Sequence, residues 1–481
     1  MKLSQLLRSA GDCPGADTEI SSLTTDSRRA CPGSLFVCIS GARSDGHDYA
    51  RSAYDRGCRC FLAERPLELP CDAVTVRVKS TRRELALAAQ RFYGAPADSL
   101  RLIGVTGTKG KSTVAELIRA GLEAAGRKPG IIGTCGIGFC GNLLPSENTT
   151  PDALQLARIL AQMRDAGVDT VVMEVSSQAY KLDRVYGLRF EEGVFTNLSP
   201  DHIGPTEHAD MEEYIVCKSR LFAASRLSVL NADDALCGRM AHAAAGEVLG
   251  YGIGTPCALR AENVSESDIS GKAGMSFDVG GEHFSVAMPG EFSVYNALAA
   301  IAVLRAEGVS DAVISGSLRR AHVRGRLESY TDGERSFVID YAHNGASLSS
   351  VLGVLRKHTK GRLIALFGSI GGRAQLRRRE LAEAADGVAD LCIVTSDNPD
   401  FEDPDAIIDQ ICSYIKHTPA VRIADRERAI EYAVRIAERG DTVLLAGKGH
   451  EDYQLVCGEK RPFSESRILS RELGGVLSGI Q

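Results

Sequence analysis

Apolar residues along this chain fall into two alternating patterns: short unbroken runs, and longer stretches where they recur every three or four positions. The runs LFVCI (35–39), LIGV (102–105), VDTVVMEV (168–175) and GVFTN (193–197) predict short buried strands. So do FVIDY (337–341), RLIALFG (362–368), LCIVTSDNP (391–399) and TVLLAGKGH (442–450), with the last two reaching Pro399 and His450. Between the runs lie one-sided helical patterns. Val114, Leu117, Ile118 and Leu122 follow i, i+3, i+4, i+8; Leu3, Leu6 and Leu7 open the chain; Ala50 and Ala53, the stretch 152–166 and MEEYIVCKSRLF (211–222) read the same way. Asn296 is expected to start a helix of small apolar residues, and 255–290 reads as short strands and glycine-rich turns.

Strands alternating with helices predict an α/β protein built on mostly parallel, doubly wound sheets. At 481 residues the chain should hold about three domains. APADS (95–99) reads as a linker, which gives a small N-terminal α/β domain (1–98), a central domain (99–324) and a C-terminal Rossmann-like domain (325–481). No internal repeat or low-complexity segment is visible.

Composition narrows the class only a little. A hydrophobic content of 44% and a charged content of 25% are ordinary for a soluble globular protein. The formal charge of −6 argues against a general nucleic-acid binder. No stretch reaches the roughly 18 apolar residues of a membrane span, and the first fifteen residues lack the apolar core of a signal peptide. The fourteen cysteines are scattered, and Cys58/Cys60 and Cys135/Cys140 have no zinc partners at metal spacing, so reduced thiols in the cytoplasm are expected.

The chemistry begins where the run 102–105 gives way to Gly107, Thr108, Lys109 and Gly110, then Lys111, Ser112 and a helix. Strand, glycine turn, Lys-Ser and helix form a phosphate cradle. Backbone N–H groups converge on phosphate oxygens, Lys111 neutralises charge and the Ser112 hydroxyl suits Mg²⁺. It is a short form, GxxGKS: the first glycine of a full Walker motif would be residue 105, which is Val105.

Glu174 ends a predicted strand of the same sheet, where a Mg²⁺-directed carboxylate belongs; the alternative is an acid that satisfies backbone amides. His202 follows another strand and Lys218 sits on the next helix, each by itself more ordinary as a structural or solvated residue. Asp26, Ser27 and Arg28 read equally well as a turn with an exposed ion pair or as a ligand contact. In the third domain, Asp340, His343, Arg373, Asp397, Asn398, Lys448, His450 and Glu451 gather at strand ends, where doubly wound sheets bind ligands.

Nine segments in order, TGTKGKST, ENTTPD, MEVSSQAY, TNLSPDHIGPTEH, YIVCKSRLF, GRLE, DYAH, SDNPDFEDP and AGKGHEDY, resemble the ATP-dependent Mur ligases over nearly the whole chain. Within that family the chain is most similar to the MurE type, which adds the third residue of the peptidoglycan stem peptide. The resemblance implies activation of a carboxylate of UDP-N-acetylmuramoyl-L-alanyl-D-glutamate by ATP to an acyl phosphate, which a diamino acid then attacks. It implies ATP and Mg²⁺, a cytoplasmic monomer, and as partners only the UDP-muramoyl dipeptide and a free diamino acid, with neither nucleic acid nor membrane.

By the same resemblance, Gly107, Thr108, Lys109, Gly110, Lys111 and Ser112 hold the nucleotide phosphates, and Asn296, Arg326 and Asp340 contact the nucleotide. Ser112, Glu174, His202 and a carbamylated Lys218 are the implied metal ligands, and Lys111, Glu174, His202 and Lys218 the catalytic set. A carbamate offers a metal two oxygens where an ammonium offers none. Thr149, Thr150, Ser176 and Arg184 match contacts to the UDP-dipeptide, and Ser27 a uridine contact. Arg373, Asp397, Asn398, Gly447 and Glu451 match the amino-acid pocket.

The chain departs from the family pattern at Lys109 and Ser112 in the cradle, at Ala42 and Arg43 where a His-Gln pair is usual, and at Gly345 after DYAH. The departure that bears on specificity is Asp400. Ligases of this type that add meso-diaminopimelate carry an Arg there to clamp its second carboxylate. An aspartate would repel that carboxylate and attract an ammonium, so L-lysine is the expected amine and Asp400 part of its pocket; meso-diaminopimelate or ornithine is the alternative. A reading from another class, a non-catalytic nucleotide-binding switch, would need the phosphate turn but not Glu174, His202 and Lys218 together.

Overall fold

The computed structural model describes residues 1–8, 15–41, 44–200, 203–204, 207–269, 272–372 and 375–474. His202, Arg373, Ala42 and Arg43 therefore lie outside the described residues. Contacts gather the chain into two units: Met1–Val264 with Ser276–Phe284 and Val294–Leu318, and Ser265–Met275 with Ser285–Ser293 and Arg319–Gln481.

The first unit opens with a four-stranded parallel sheet, Ser22–Thr24, Ser34–Val37, Cys60–Ala63 and Val74–Arg77 in that spatial order. The helix Thr81–Phe92, whose N-cap is Ser80, buries Leu85 and Ala88 in the core of this sheet. Its larger sheet has seven parallel strands: Leu259–Ile269, Glu247–Gly252, Ser225–Asn231, Phe190–Phe195, Arg101–Thr106, Thr170–Glu174 and Pro129–Gly133. Two antiparallel strands, Gly136–Phe139 and Asn142–Leu144, extend one side. On the other side follow Lys272–Val279 and Glu282–Val286. Asp152 caps the helix Ala153–Asp165, and Leu156, Leu160 and Met163 on it pack with Leu102, Val171 and Met173 of the strands. These central strands are buried on both faces, which is why they read as unbroken apolar runs.

Two local expectations differ from the structure. The stretch 255–290 is not made of short strands: Leu259–Ile269 has eleven residues and Lys272–Val279 eight. Leu259 and Ala261 are buried, but Glu262, Ser265 and Glu266 are exposed, so most of this strand carries no apolar run to reveal it. The helix holding Asn296 starts earlier, at Glu291, directly after Gly290 with φ of 90°, so Asn296 lies inside it.

The second unit is a six-stranded sheet ordered Glu328–Thr331, Ser336–Asp340, Thr442–Ala446, Leu363–Phe367, Leu391–Val394 and Ala420–Arg422. Only the first pair is antiparallel. Leu348, Leu381 and Ile407, on the helices Gly345–His358, Gln375–Ala385 and Pro404–Tyr414, pack into one core. Ile430 and Ile468, on Arg426–Ile436 and Glu465–Glu472, pack into another. Helices on both faces make it a doubly wound layer structure. The strands stop at Val394 and Ala446, earlier than the runs to Pro399 and His450 suggest, which leaves 395–400 and 447–451 as loops beyond the carboxyl edge. Among the described residues, no helix is long and apolar enough to cross a membrane, and the cysteines are free thiols.

Candidate active site

In the first unit the cradle follows the strand Arg101–Thr106 and precedes the helix Lys111–Ala124. Gly107 has φ of 149° and Gly110 has φ of 84°, both in the region that L side chains avoid. A Cβ on Gly107 would lie 1.9 Å from Thr196 Oγ1, and one on Gly110 would lie 2.5 Å from Asn296 Oδ1, so glycine is required for space as well as conformation. Asn296 thereby borders the turn.

Residues after the neighbouring strand hold the turn's shape. Thr108 N–H donates to Asn197 O (2.8 Å), Lys109 N–H to Asn197 Oδ1 (3.0 Å) and Thr196 Oγ1 to Lys109 O (2.6 Å). Lys111 Nζ reaches back to Gly107 O and Thr108 O, 3.0 Å each. Lys218, buried in the helix Met211–Ala223, donates from Nζ to the same Gly107 O at 2.7 Å and lies 4.7 Å from the Tyr214 ring centroid. Two lysines more than a hundred positions apart thus converge on one carbonyl of the phosphate turn.

Glu174 ends its strand beside Val105 and is buried. Its Oε1 accepts from Thr134 N–H (2.8 Å) and its Oε2 from Thr134 Oγ1 (3.2 Å). The Thr134 hydroxyl also lies 3.0 Å from Thr149 Oγ1. Thr150 Oγ1 donates to Glu174 O (2.9 Å) and accepts from Ser176 N–H (3.0 Å), while Arg184 Nη1 donates to Thr150 O (2.7 Å). Glu174, Thr149, Thr150, Ser176 and Arg184, expected from separate motifs, therefore share one hydrogen-bonded network. Thr134, which links Glu174 to Thr149, was missed by sequence reasoning because a threonine after a glycine carries no chemical signal. Replacing it, Thr134→Val, removes the hydroxyl contact and keeps the N–H. Turnover should fall about 10–100-fold at limiting magnesium; a magnesium titration that overlays the wild type would refute this role.

Ser27 starts the 3₁₀ turn Ser27–Arg29 of the small sheet. Asp26 caps it and forms an exposed pair with Arg28 at 2.9 Å. This is the turn with a salt bridge that the sequence allowed, and nothing in its geometry selects uridine.

In the second unit, Asp340 is buried, and its two oxygens accept from Leu327 N–H (2.9 Å) and Ala342 N–H (2.8 Å). Burial raises its carboxyl above the ordinary aspartate value, against the pull of Arg326. The Arg326 guanidinium stacks 4.7 Å from the Tyr341 ring centroid, and that ring touches His343 (4.8 Å) and His450 (4.9 Å). Burial lowers His343 below the usual histidine range.

Beyond the strand ends, Asp397, Asn398, Gly447 and Glu451 come together around Lys448. Gly447 has φ of 115°, and a Cβ there would lie 3.0 Å from Asp397 Oδ2. Asp400 points elsewhere. With φ of 52°, it is bridged to the hairpin Tyr453–Val456/Glu459–Pro462, and its Oδ1 accepts from Gly458 N–H at 2.8 Å. Its carboxylate closes a turn, the structural role that competes with selection of an amine.

Among the described residues, no cluster of three or more His, Cys, Asp or Glu could cage a metal. Mg²⁺ does not need one: it keeps waters and takes one or two carboxylates plus phosphate oxygens, so the hard oxygens of Ser112 and Glu174 fit it.

Family models match the chain in three places: Mur ligase family, catalytic domain, at 19–93; Mur ligase middle domain at 105–304; and Mur ligase, glutamate ligase domain, at 325–449. A ligase from Clostridium botulinum is 36% identical over 94% of both chains. One from Bacillus licheniformis is 37% identical over 98% of this chain and 99% of its own. Both are UDP-N-acetylmuramoyl-L-alanyl-D-glutamate--2,6-diaminopimelate ligases. A solved structure of a ligase of that name is 29% identical, covers 98% of this chain and 99% of its own, and superimposes with a TM-score of 0.71. Together with these matches, the cradle, buried carboxylate and doubly wound sheets belong to an ATP-dependent ligase. The chain belongs to the Mur ligase family, and a non-catalytic switch is set aside. The relatives give no support to lysine as the amine.

Proposed function

We propose that this chain joins 2,6-diaminopimelate to UDP-N-acetylmuramoyl-L-alanyl-D-glutamate at the expense of ATP, in the cytoplasm and as a monomer. The observation that carries the reading is full-length similarity, at 36–38% identity, to ligases named for that reaction. The expectation of lysine rested on Asp400 and on the likeness of SSQAY (176–180) and SPDHIGPTEH (199–208) to the lysine-adding branch; the relatives do not support it, and the hydrogen bond from Gly458 N–H gives the Asp400 carboxylate other work.

In this reading three domains, 1–98, 99–324 and 325–481, hold in turn the uridine end (Ser27), ATP, and the amine. The turn 107–112 cradles the phosphates, with Lys111 as the cation. Mg²⁺, held by Ser112, Glu174, His202 and Lys218 as its carbamate, would neutralise charge on the phosphate oxygens during transfer. A carbamate keeps one N–H, so the bond from Lys218 to Gly107 O survives the modification. Asn296, Arg326 and Asp340 serve the nucleotide, and the network around Thr150 orients the dipeptide. Arg373, Asp397, Asn398, Gly447 and Glu451 seat the diamino acid. Because acyl transfer needs no redox chemistry, catalysis comes from positioning and charge neutralisation.

The test is amide formation by the purified chain with ATP, the UDP-dipeptide and each of meso-diaminopimelate, L-lysine and L-ornithine. We expect kcat/KM for diaminopimelate to exceed that for lysine by about tenfold or more. A preference for lysine would reverse the assignment and return Asp400 to the specificity pocket.

A further inference from the structure

We infer that Lys448 is a positioning residue of the amino-acid pocket: it locks Asp397, Asn398 and Glu451 into one arrangement. The inference rests on the ligase reading above and adds to it a residue that none of the matched motifs assigns.

Lys448 has no exposed surface, an unusual state for an ammonium and a costly one unless it is paired. Its Nζ donates to Glu451 Oε2 at 2.6 Å and Asn398 Oδ1 at 2.7 Å, lies 3.5 Å from Asp397 Oδ1, and sits 5.2 Å from the Tyr453 ring centroid. These contacts join the loop after Leu391–Val394 to the loop after Thr442–Ala446, fifty positions apart.

They also set the Asn398 amide. A lysine only donates, so Asn398 must turn its oxygen towards Nζ, and Leu455 N–H shares that oxygen at 2.9 Å. Its nitrogen is then left for Glu451 Oε2, at 3.1 Å. Substrate therefore meets Asn398 as a donor and Glu451 as an acceptor, an order that Lys448 dictates from behind.

A neighbouring buried pair, Arg426 with Glu465 at 2.8 Å, props both loops through Ser396 O (3.2 Å) and Ala446 O (2.7 Å). The scaffold behind the pocket is therefore made by two buried cations, Lys448 and Arg426, each tied to both strand-end loops.

The test uses the full chain and two variants, Lys448→Met and Lys448→Arg. Amide formation with the diamino acid is compared with trapping by hydroxylamine, a small acceptor that needs no pocket. It attacks the acyl phosphate, forming a C–N bond, expelling phosphate and releasing a proton to give a hydroxamate. For Lys448→Met we expect KM for the diamino acid to rise about 30-fold or more, with KM for ATP unmoved, and the ratio of hydroxamate to amide to rise with it. Lys448→Arg keeps the charge with altered reach and should fall between; if the Met variant is not recovered folded, a rise in KM for the diamino acid alone in the Arg variant carries the test. Unchanged KM for the amine, or hydroxamate and amide falling together at constant ratio, overturns the inference. A wild-type chain that gives no hydroxamate from ATP and UDP-dipeptide overturns the ligase reading itself, and this inference with it.

Discussion

Lys111→Ala should lower kcat by about 10²–10³-fold while leaving the melting temperature close to that of the wild type. The side chain lies across the phosphate turn, held by the carbonyls of Gly107 and Thr108 at 3.0 Å each. A cation already in place meets developing phosphate charge without reorganisation, and that is where electrostatic catalysis has its largest effect. Little stability is at stake, because the turn is fixed by other bonds, from Thr108 N–H, Lys109 N–H and Thr196 Oγ1. ADP release under saturating substrates measures the loss, and thermal melting checks the fold. A variant within tenfold of wild-type kcat would remove Lys111 from the catalytic set.

Glu192→Gln should make the first unit more stable at alkaline pH and flatten the decline of its stability with rising pH. Glu192 is buried near the start of Phe190–Phe195, and among the described residues neither of its oxygens receives a hydrogen bond. Its neighbour is a second carboxylate, Glu307, which Arg101 (2.7 Å) and Arg127 hold. Burial first, then the Glu307 charge, pushes Glu192 up to about 8. Glu307 moves down because its two arginines outweigh its own burial. The pair therefore keeps one proton, on Glu192.

A carboxyl raised from 4.5 to about 8 binds more protons folded than unfolded over that interval. Its contribution is fully present below pH 4.5 and is lost as pH climbs through 8. The loss is on the order of 5 kcal/mol at the alkaline end, and glutamine cannot incur it. Denaturant midpoints for both proteins from pH 5 to pH 9 decide the matter. Parallel declines would mean that Glu192 is not the titrating group.

These two residues differ in how far the sequence announces them. Lys111 sits in a local grammar of strand, glycine turn and helix, whose spacing alone places its ammonium near phosphate. Glu192 follows another glutamate in an undistinguished stretch, and only the approach of the helix ending at Ala306 puts Glu307 beside it. Lys448 shows the same contrast: strand-end position flagged it, yet its role depends on Asn398, fifty residues earlier. Asp400 shows the reverse hazard, since a charge that reads as a selector is engaged by Gly458 N–H.

The sequence by itself determined the α/β class, the positions of eight buried strands, the glycine turn at 107–110 and the family; the buried strands Cys60–Ala63 and Ser225–Asn231 were not among those read from it. Each feature so determined follows from periodicity or from backbone rules acting within a few residues. Tertiary structure alone decided that Thr134 holds Glu174, that Lys111 and Lys218 meet at Gly107 O, and that Lys448 joins Asn398 to Glu451. A hydrogen bond between residues forty to more than a hundred positions apart depends on how strands are ordered in a sheet, and no local pattern of side chains encodes that order.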